Sequence, residues 1–198
     1  VDSQFYPQKF KEEDEINPFQ WMELGIQAIV YGSFKISGTD IKVDARLYSV
    51  SAGKRMYRRK FKASKAQVRR IAHAISDDVV KALTGEEGIA QTLIAFISNR
   101  GGYKELYICD YDGYSVRRIT YDNSMTFTPD WSPDGFLISF TSYAGGNANI
   151  YTYDILKNAR KLLVDYPGLN LAAAWSPDGR KIAFVSTKDG NSEIYVMD

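Results

Sequence analysis

Few residues in this chain have the chemical reach for catalysis. His73 and Asp77 stand four apart, the spacing at which a carboxylate can meet an imidazole on one helix face. General-base chemistry from that pair would need a nucleophile or a metal beside it, and His73 is the only histidine. The pair therefore reads as structural. Cys109 closes the apolar run 106–109 and reads as a small buried hydrophobe. One cysteine and one histidine cannot make a thiolate–imidazole zinc site, and they exclude a disulfide framework. Asp110-Tyr111-Asp112-Gly113 hints at a calcium loop, but it lacks the EF-hand spacing and the closing glutamate, which leaves a hairpin turn. There is no Gly-x-Ser-x-Gly elbow and no Gly-rich phosphate loop. These residues lead to an expectation of no catalysis, no cofactor and no metal.

Charge is equally undirected. The 198 residues carry a net charge of +1, so no global field draws the chain to nucleic acid or anionic membrane. Residues 54–70 hold nine Lys/Arg and no acid. That run reads as a solvated sheet face, balanced by the acidic arm Glu12-Glu13-Asp14-Glu15, with nucleic-acid or head-group binding as the alternative. No stretch approaches the length of a membrane span, and the start does not read as a signal peptide.

The most informative pattern is a repeat of 44 residues. Trp131-Ser132-Pro133-Asp134-Gly135 returns as Trp175-Ser176-Pro177-Asp178-Gly179, and Ile94-Ala95-Phe96 returns as Ile138-Ser139-Phe140 and Ile182-Ala183-Phe184. A fixed period of short apolar runs and turns is the signature of β-propeller blades. Within the turn, proline pre-sets φ, aspartate favours the next position and glycine the last, so Asp134 and Asp178 read as turn formers. Trp131 and Trp175 are expected to pack between neighbouring blades. Strands are expected at 126–131, 136–142, 148–154 and 160–164, four to a blade, and the chain should hold three strands of one blade, a whole second and three strands of a third.

Ahead of the repeats a smaller unit is expected. Residues 1–16 read as a loop or loosely held arm. Asn17-Pro18 opens a short helix, and alternating apolar residues at 28–36, 41–50 and 54–63 make a three-stranded meander. Ser64-Lys65-Ala66-Gln67 resembles a capping box, and Val68, Ile71, Ala72, Ile75, Val79 and Leu83 form one stripe of a long amphipathic helix. The expected domains are 1–86, an α+β unit, and 89–198, about two and a half blades, with Glu86-Glu87-Gly88 as hinge.

The Trp-Ser-Pro-Asp-Gly repeat followed by apolar-x-apolar-aromatic resembles TolB-type propellers, and also the propellers of prolyl-oligopeptidase-like hydrolases. The segment from Arg70-Ile71-Ala72-His73 through Leu83-Thr84-Gly85-Glu86-Glu87-Gly88 to Ile94-Ala95-Phe96-Ile97 is similar to the junction of TolB-type proteins and narrows the choice. The resemblance implies a non-enzymatic periplasmic scaffold of the Tol-Pal envelope system. Its propeller would bind the Pal lipoprotein and its N-terminal region TolA, in support of outer-membrane integrity and cell division. The rival is a hydrolase propeller whose catalytic domain lies beyond Asp198. The resemblance also implies a chain truncated at both ends, and an open propeller fragment exposes edges that favour self-association. Loops 123–128 and 167–173 lead into the innermost strands. Met125, Thr126, Leu169, Asn170, Leu171 and Ala172 are their candidate partner-binding residues, while Leu169 and Leu171 can equally pack between blades.

Overall fold

The computed structural model describes residues 16–198, and the chain parts between Gln91 and Thr92 into two compact units. In the first, Asn17 caps helix α1 (Pro18–Glu23) by accepting the Phe19 amide at 3.2 Å. Strands β1 (Ala28–Ser37), β2 (Asp40–Ser49) and β3 (Lys54–Ser64) form an antiparallel meander in that order. Trp21, Ile29, Tyr48 and Val50 make a core with Ile16. Of the expected arm, residues 1–15 lie outside the described residues, and Ile16 is buried rather than loosely held.

One turn of 3-10 helix (Lys65–Gln67) precedes helix α2 (Val68–Thr84). Ser64 caps that turn through the Ala66 amide, and Gln67 gives α2 no side-chain cap, so the expected capping box does not start the long helix. The buried face is also rotated from the expected stripe. Ile71 and Ala74 are buried, whereas Val68, Ala72 and Leu83 are exposed. The reason is Asp78, one helical face on from Ile71 and Ala74. Its carboxylate accepts the Tyr57 hydroxyl and, at 2.9 Å, the Arg59 guanidinium, both from β3. A polar tie has drawn the helix round.

Residues 86–88, the expected hinge, are packed back onto α2. Asp77 accepts the amides of Ala90 at 2.7 Å and Gln91 at 3.1 Å. The chain passes so close that a Cβ on Gly88 would stand 2.4 Å from the Asp77 Cα. Only glycine fits there.

The second unit is a partial antiparallel β-propeller, so the chain adopts the expected fold class. Its sheets are β4-β5-β6 (Leu93–Ser98, Glu105–Asp110, Arg117–Arg118), β7-β8-β9-β10 (Thr126–Trp131, Leu137–Ser142, Asn149–Asp154, Ala159–Val164) and β11-β12-β13 (Asn170–Trp175, Ile182–Ser186, Glu193–Met197). The opening strands of the second and third sheets, β7 and β11, approach one another, which makes them innermost, whereas β4 is the repeat equivalent of β8 and β12. The core lies between sheets. Leu106 and Ile108 of the first pack on Ile138, Phe140, Tyr151 and Tyr153 of the second, with Trp131 beside them. Ile150 and Val164 of the second meet Ala173, Ile182 and Phe184 of the third, with Trp175 beside them. The repeat extends to ring geometry. Phe96–Tyr107, Phe140–Tyr151 and Phe184–Tyr195 each stack at 5.7, 5.8 and 5.9 Å.

The two Ser-Pro-Asp-Gly turns share the same set of closing hydrogen bonds. Gly135 donates to the Ser132 carbonyl at 2.8 Å and Gly179 to that of Ser176 at 2.9 Å. Each serine hydroxyl donates to its aspartate at 2.6 Å and accepts the amide five residues on, Leu137 or Lys181, at 2.9 Å. The serine hydrogen bond, then the Phe136 or Arg180 amide, holds the Asp134 and Asp178 carboxyls below the ordinary value of 3.8. A lowered folded-state value means the turns are fully supported above the unfolded aspartate's pKa and lose that support as pH falls through the folded one. Carboxyl NMR titration should therefore place both midpoints below the usual aspartate range, and Ser132→Ala should return Asp134 alone toward it.

Candidate partner-binding rim

The rim forms where the chain enters the innermost strands. Before β11, residues 166–170 are held by buried polar ties. The Asn170 side chain, fully buried, donates to the Tyr166 carbonyl at 2.7 Å and accepts the Ser186 hydroxyl at 2.9 Å. Its amide donates to the Ala148 carbonyl, which belongs to the preceding sheet's loop. Leu169 exchanges bonds with Thr187, donating to its hydroxyl at 2.8 Å and accepting its amide at 3.0 Å. Gly168 has φ 89°, and a Cβ there would lie 2.3 Å from the Thr187 hydroxyl. A loop fixed at so many points keeps Leu169 exposed, with Tyr166, also exposed, stacked on Phe184.

The loop before β7 is held by different residues. Glu105 is completely buried and accepts the Asn123 amide at 2.9 Å, the Arg118 guanidinium at 2.7 Å and the Thr120 hydroxyl. Thr120 in turn accepts the Leu106 amide at 2.9 Å. A buried carboxylate persists only when paired and hydrogen-bonded, and each of these contacts offsets its desolvation. Asp122 fixes the next position, accepting Ser142 at 2.9 Å and Arg160 at 2.7 Å. Met125 stays exposed.

Strands β7 and β11 then bulge at the same repeat position. Pairing of β7 with β8 slips between Phe127 and Asp130, and of β11 with β12 between Leu171 and Ala174. Thr128 at φ 46° and Ala172 at φ 52° carry the slip in the left-handed region. The freed Ala172 amide reaches across to the Thr141 hydroxyl at 3.2 Å, and Asp130 accepts the Trp175 amide at 2.9 Å. Bulges and sheet junctions are thus fastened together.

The six rim residues singled out in the sequence divide by role. Met125, Leu169 and Ala172 are exposed and Leu171 is half-buried. Thr126 and Asn170 are fully buried at equivalent repeat positions, so they anchor the rim and present no surface. Of the repeat residues, Trp131 and Trp175 lie in the sheet junctions, and Pro133, Asp134, Gly135, Pro177, Asp178 and Gly179 form the two turns. Asp77 serves the returning chain, Cys109 is buried in β5, and Asp110 to Gly113 close a turn through a 2.9 Å bond. Among the described residues no cluster of three or more His, Cys, Asp or Glu is arranged to hold a metal ion. None of their helices is long and apolar enough to cross a membrane. In the basic segment Arg58 pairs with Asp44 and Arg59 with Asp78, and the Arg58 bond holds Asp44 well below the carboxylate range. Neighbouring elements supply these acids, while the expected partners Glu12 to Glu15 lie outside the described residues. Sequence reasoning missed Glu105 and Asp122. The signal for Glu105 was a polar residue opening each second or third strand, as Glu105, Asn149 and Glu193.

Comparison with known proteins agrees with this geometry. Residues 80–198 match the profile of the TolB beta propeller domain, and residues 1–56 that of the TolB amino-terminal domain. The Tol-Pal system protein TolB of Geobacter metallireducens is 40% identical over 115 residues, 58% of this chain and 27% of that protein. The protein of the same description from Geobacter sulfurreducens is 36% identical over 115 residues, with the same coverage. The crystal structure of TolB from Acinetobacter baumannii superposes with a TM-score of 0.87 at 27% identity, over 100% of this chain and 50% of that one. The chain thus aligns with about a quarter of the length of these curated relatives.

Two substitutions test how the rim is held. Glu105→Ala leaves Arg118 and the Asn123 amide without their acceptor, and should cost about 3 kcal/mol in urea unfolding. Ala172→Gly should act the other way. Relief of a left-handed alanine, worth roughly 1–2 kcal/mol, exceeds glycine's extra chain entropy of roughly 0.5–1 kcal/mol. The unfolding midpoint should rise.

Proposed function

Because this chain belongs to the TolB family, whose propeller profile spans more than half of it, we propose that it is a non-enzymatic binding scaffold of the Tol-Pal envelope system, working in the periplasm. Its propeller rim engages the Pal lipoprotein and its N-terminal region engages TolA, in support of outer-membrane integrity and cell division. The relatives it matches are Tol-Pal system proteins.

The observation that carries the reading is the rim itself. Leu169 and Met125 are large apolar side chains left exposed on two loops whose backbones are pinned by the buried Asn170 and Glu105. Apolar anchors on pre-ordered loops bind without an ordering cost, which is what a protein-docking surface needs. Exposed loops on a rigid sheet scaffold are also where binding residues concentrate.

The test is titration calorimetry with purified Pal. Leu169→Asp and Met125→Asp should each weaken binding by roughly tenfold to a hundredfold, as loss of an interface anchor does. Leu156→Asp, at an exposed turn between β9 and β10, should leave it unchanged. Pal binding that survives both rim substitutions together would remove the rim from the interface.

A further inference from the structure

Strand β3 closes the sheet of the first unit. It lies last in the order β1-β2-β3, so the backbone groups along its outer side meet no strand among the described residues. Its 11 residues hold six Lys/Arg and no acid. Apart from those cations it exposes only Met56 and Ser64. The opposite edge is different in kind, since the sheet's exposed branched and aromatic side chains, Val30, Phe34 and Ile36, all stand on β1. Burial of apolar surface would draw any further layer of this fold to β1, whereas β3 is composed to face water. Beside the β3 edge a cleft of about 280 Å³ opens against α2. Its walls come from β3, from α2 and the turn before it, and from Gln91; none comes from β2, which places the cleft on the outer flank. Phe61, Ile71 and Ala74 give it apolar walls, and Lys62, Gln67 and Arg70 stand exposed around it. Arg59 is held by Asp78, but Lys60, Lys62 and Arg70 meet no acid among the described residues.

We infer that the β3 edge takes an extended acidic segment of a partner protein as an added strand, with one of its side chains entering the cleft. In strand addition the backbone bonds along an open edge supply affinity, and a side pocket supplies selection. The charges choose the occupant. An acidic strand sets carboxylates opposite the cations, whereas a second copy of β3 would set Lys and Arg against Lys and Arg. The cleft narrows the choice further. Apolar walls ringed by cationic and amide donors suit a side chain with an aliphatic stem and a carboxylate end, as glutamate has. Tyr57 and Phe61 are half-buried. A single-stranded nucleic acid would therefore find charge here but no exposed rings on which to stack its bases. The site lies wholly in the first unit and does not rest on what the propeller rim binds.

The test is calorimetry on the whole chain with a synthetic peptide alternating valine and glutamate. The peptide should bind with an affinity that falls as salt rises, and the same peptide with lysine for glutamate should not bind. Methylating one alternate set of the peptide's backbone amides should abolish binding, and methylating the other set should not, because only one set faces β3. Lys62→Glu and Arg70→Glu should each weaken binding roughly fivefold to tenfold, while Lys35→Glu, on the far edge, should change it by less than about twofold. If a variant fails to fold, the peptide series on the unaltered chain still gives the answer. Hydrogen exchange should show protection gained along β3 and not along β1. Equal binding of the two methylated peptides overturns strand addition. Tighter binding of single-stranded DNA or of phosphatidylglycerol vesicles than of the acidic peptide overturns it in favour of a general polyanion surface. No binding of the acidic peptide at millimolar concentration overturns it as well, and leaves the cations as a guard against edge pairing.

Discussion

Each propeller sheet here is apolar on both faces, and that constraint governs the second unit. A sheet with one wet face can stand alone on a helix, as β1 to β3 do with α2. A sheet such as β7 to β10 cannot. Ile138 and Phe140 point to one side and Ile150 to the other, and all three are fully buried. At roughly 1.5–3 kcal/mol for each large side chain removed from water, the two junctions outweigh any single turn or hydrogen bond. The repeat of 44 residues is the covalent consequence: every copy must be the lid of one neighbour and the floor of the next.

Polar residues do a second job that apolar packing cannot. Hydrophobic contact is non-directional, so it leaves the loops above the sheets free to move. Asn170, Glu105 and Asp122 fix those loops by hydrogen bonds of defined geometry, and Thr141 and Asp130 fasten one sheet to the next. The left-handed Thr128 and Ala172 are tolerated because these ties over-determine the backbone around them. A rim that is rigid beneath and apolar on top follows from that division of labour. The first unit uses the same device where Asp77 holds the returning chain and Asp78 ties α2 to β3.

Much of this was legible in the amino-acid order. The Ser-Pro-Asp-Gly turns and the apolar triplets depend on residues a few positions apart, and the period of 44 set them in register. The strands at 126–131, 137–142, 149–154 and 159–164 depart from the expected bounds by a residue at most. Local chemistry determined the architecture. The resemblance carried by the junction residues added the family, which no propeller turn alone specifies.

What only the tertiary structure decided lies in contacts between distant residues. Thr126 and Asn170 fell in the expected loops 123–128 and 167–173 and looked available to a partner, yet they open β7 and β11 and are buried, their amides accepted by the preceding sheet's loop at Lys104 and Ala148. Glu105 carried no sequence signal for burial in isolation, and Arg118, Thr120 and Asn123 close around it only in the fold. The buried face of α2 was set by Asp78 and its partners on β3, 19 and 21 positions away. Periodicity reports which residues prefer to leave water. It says nothing of which polar group will meet its partner, because that depends on distances which exist only once the sheets have packed.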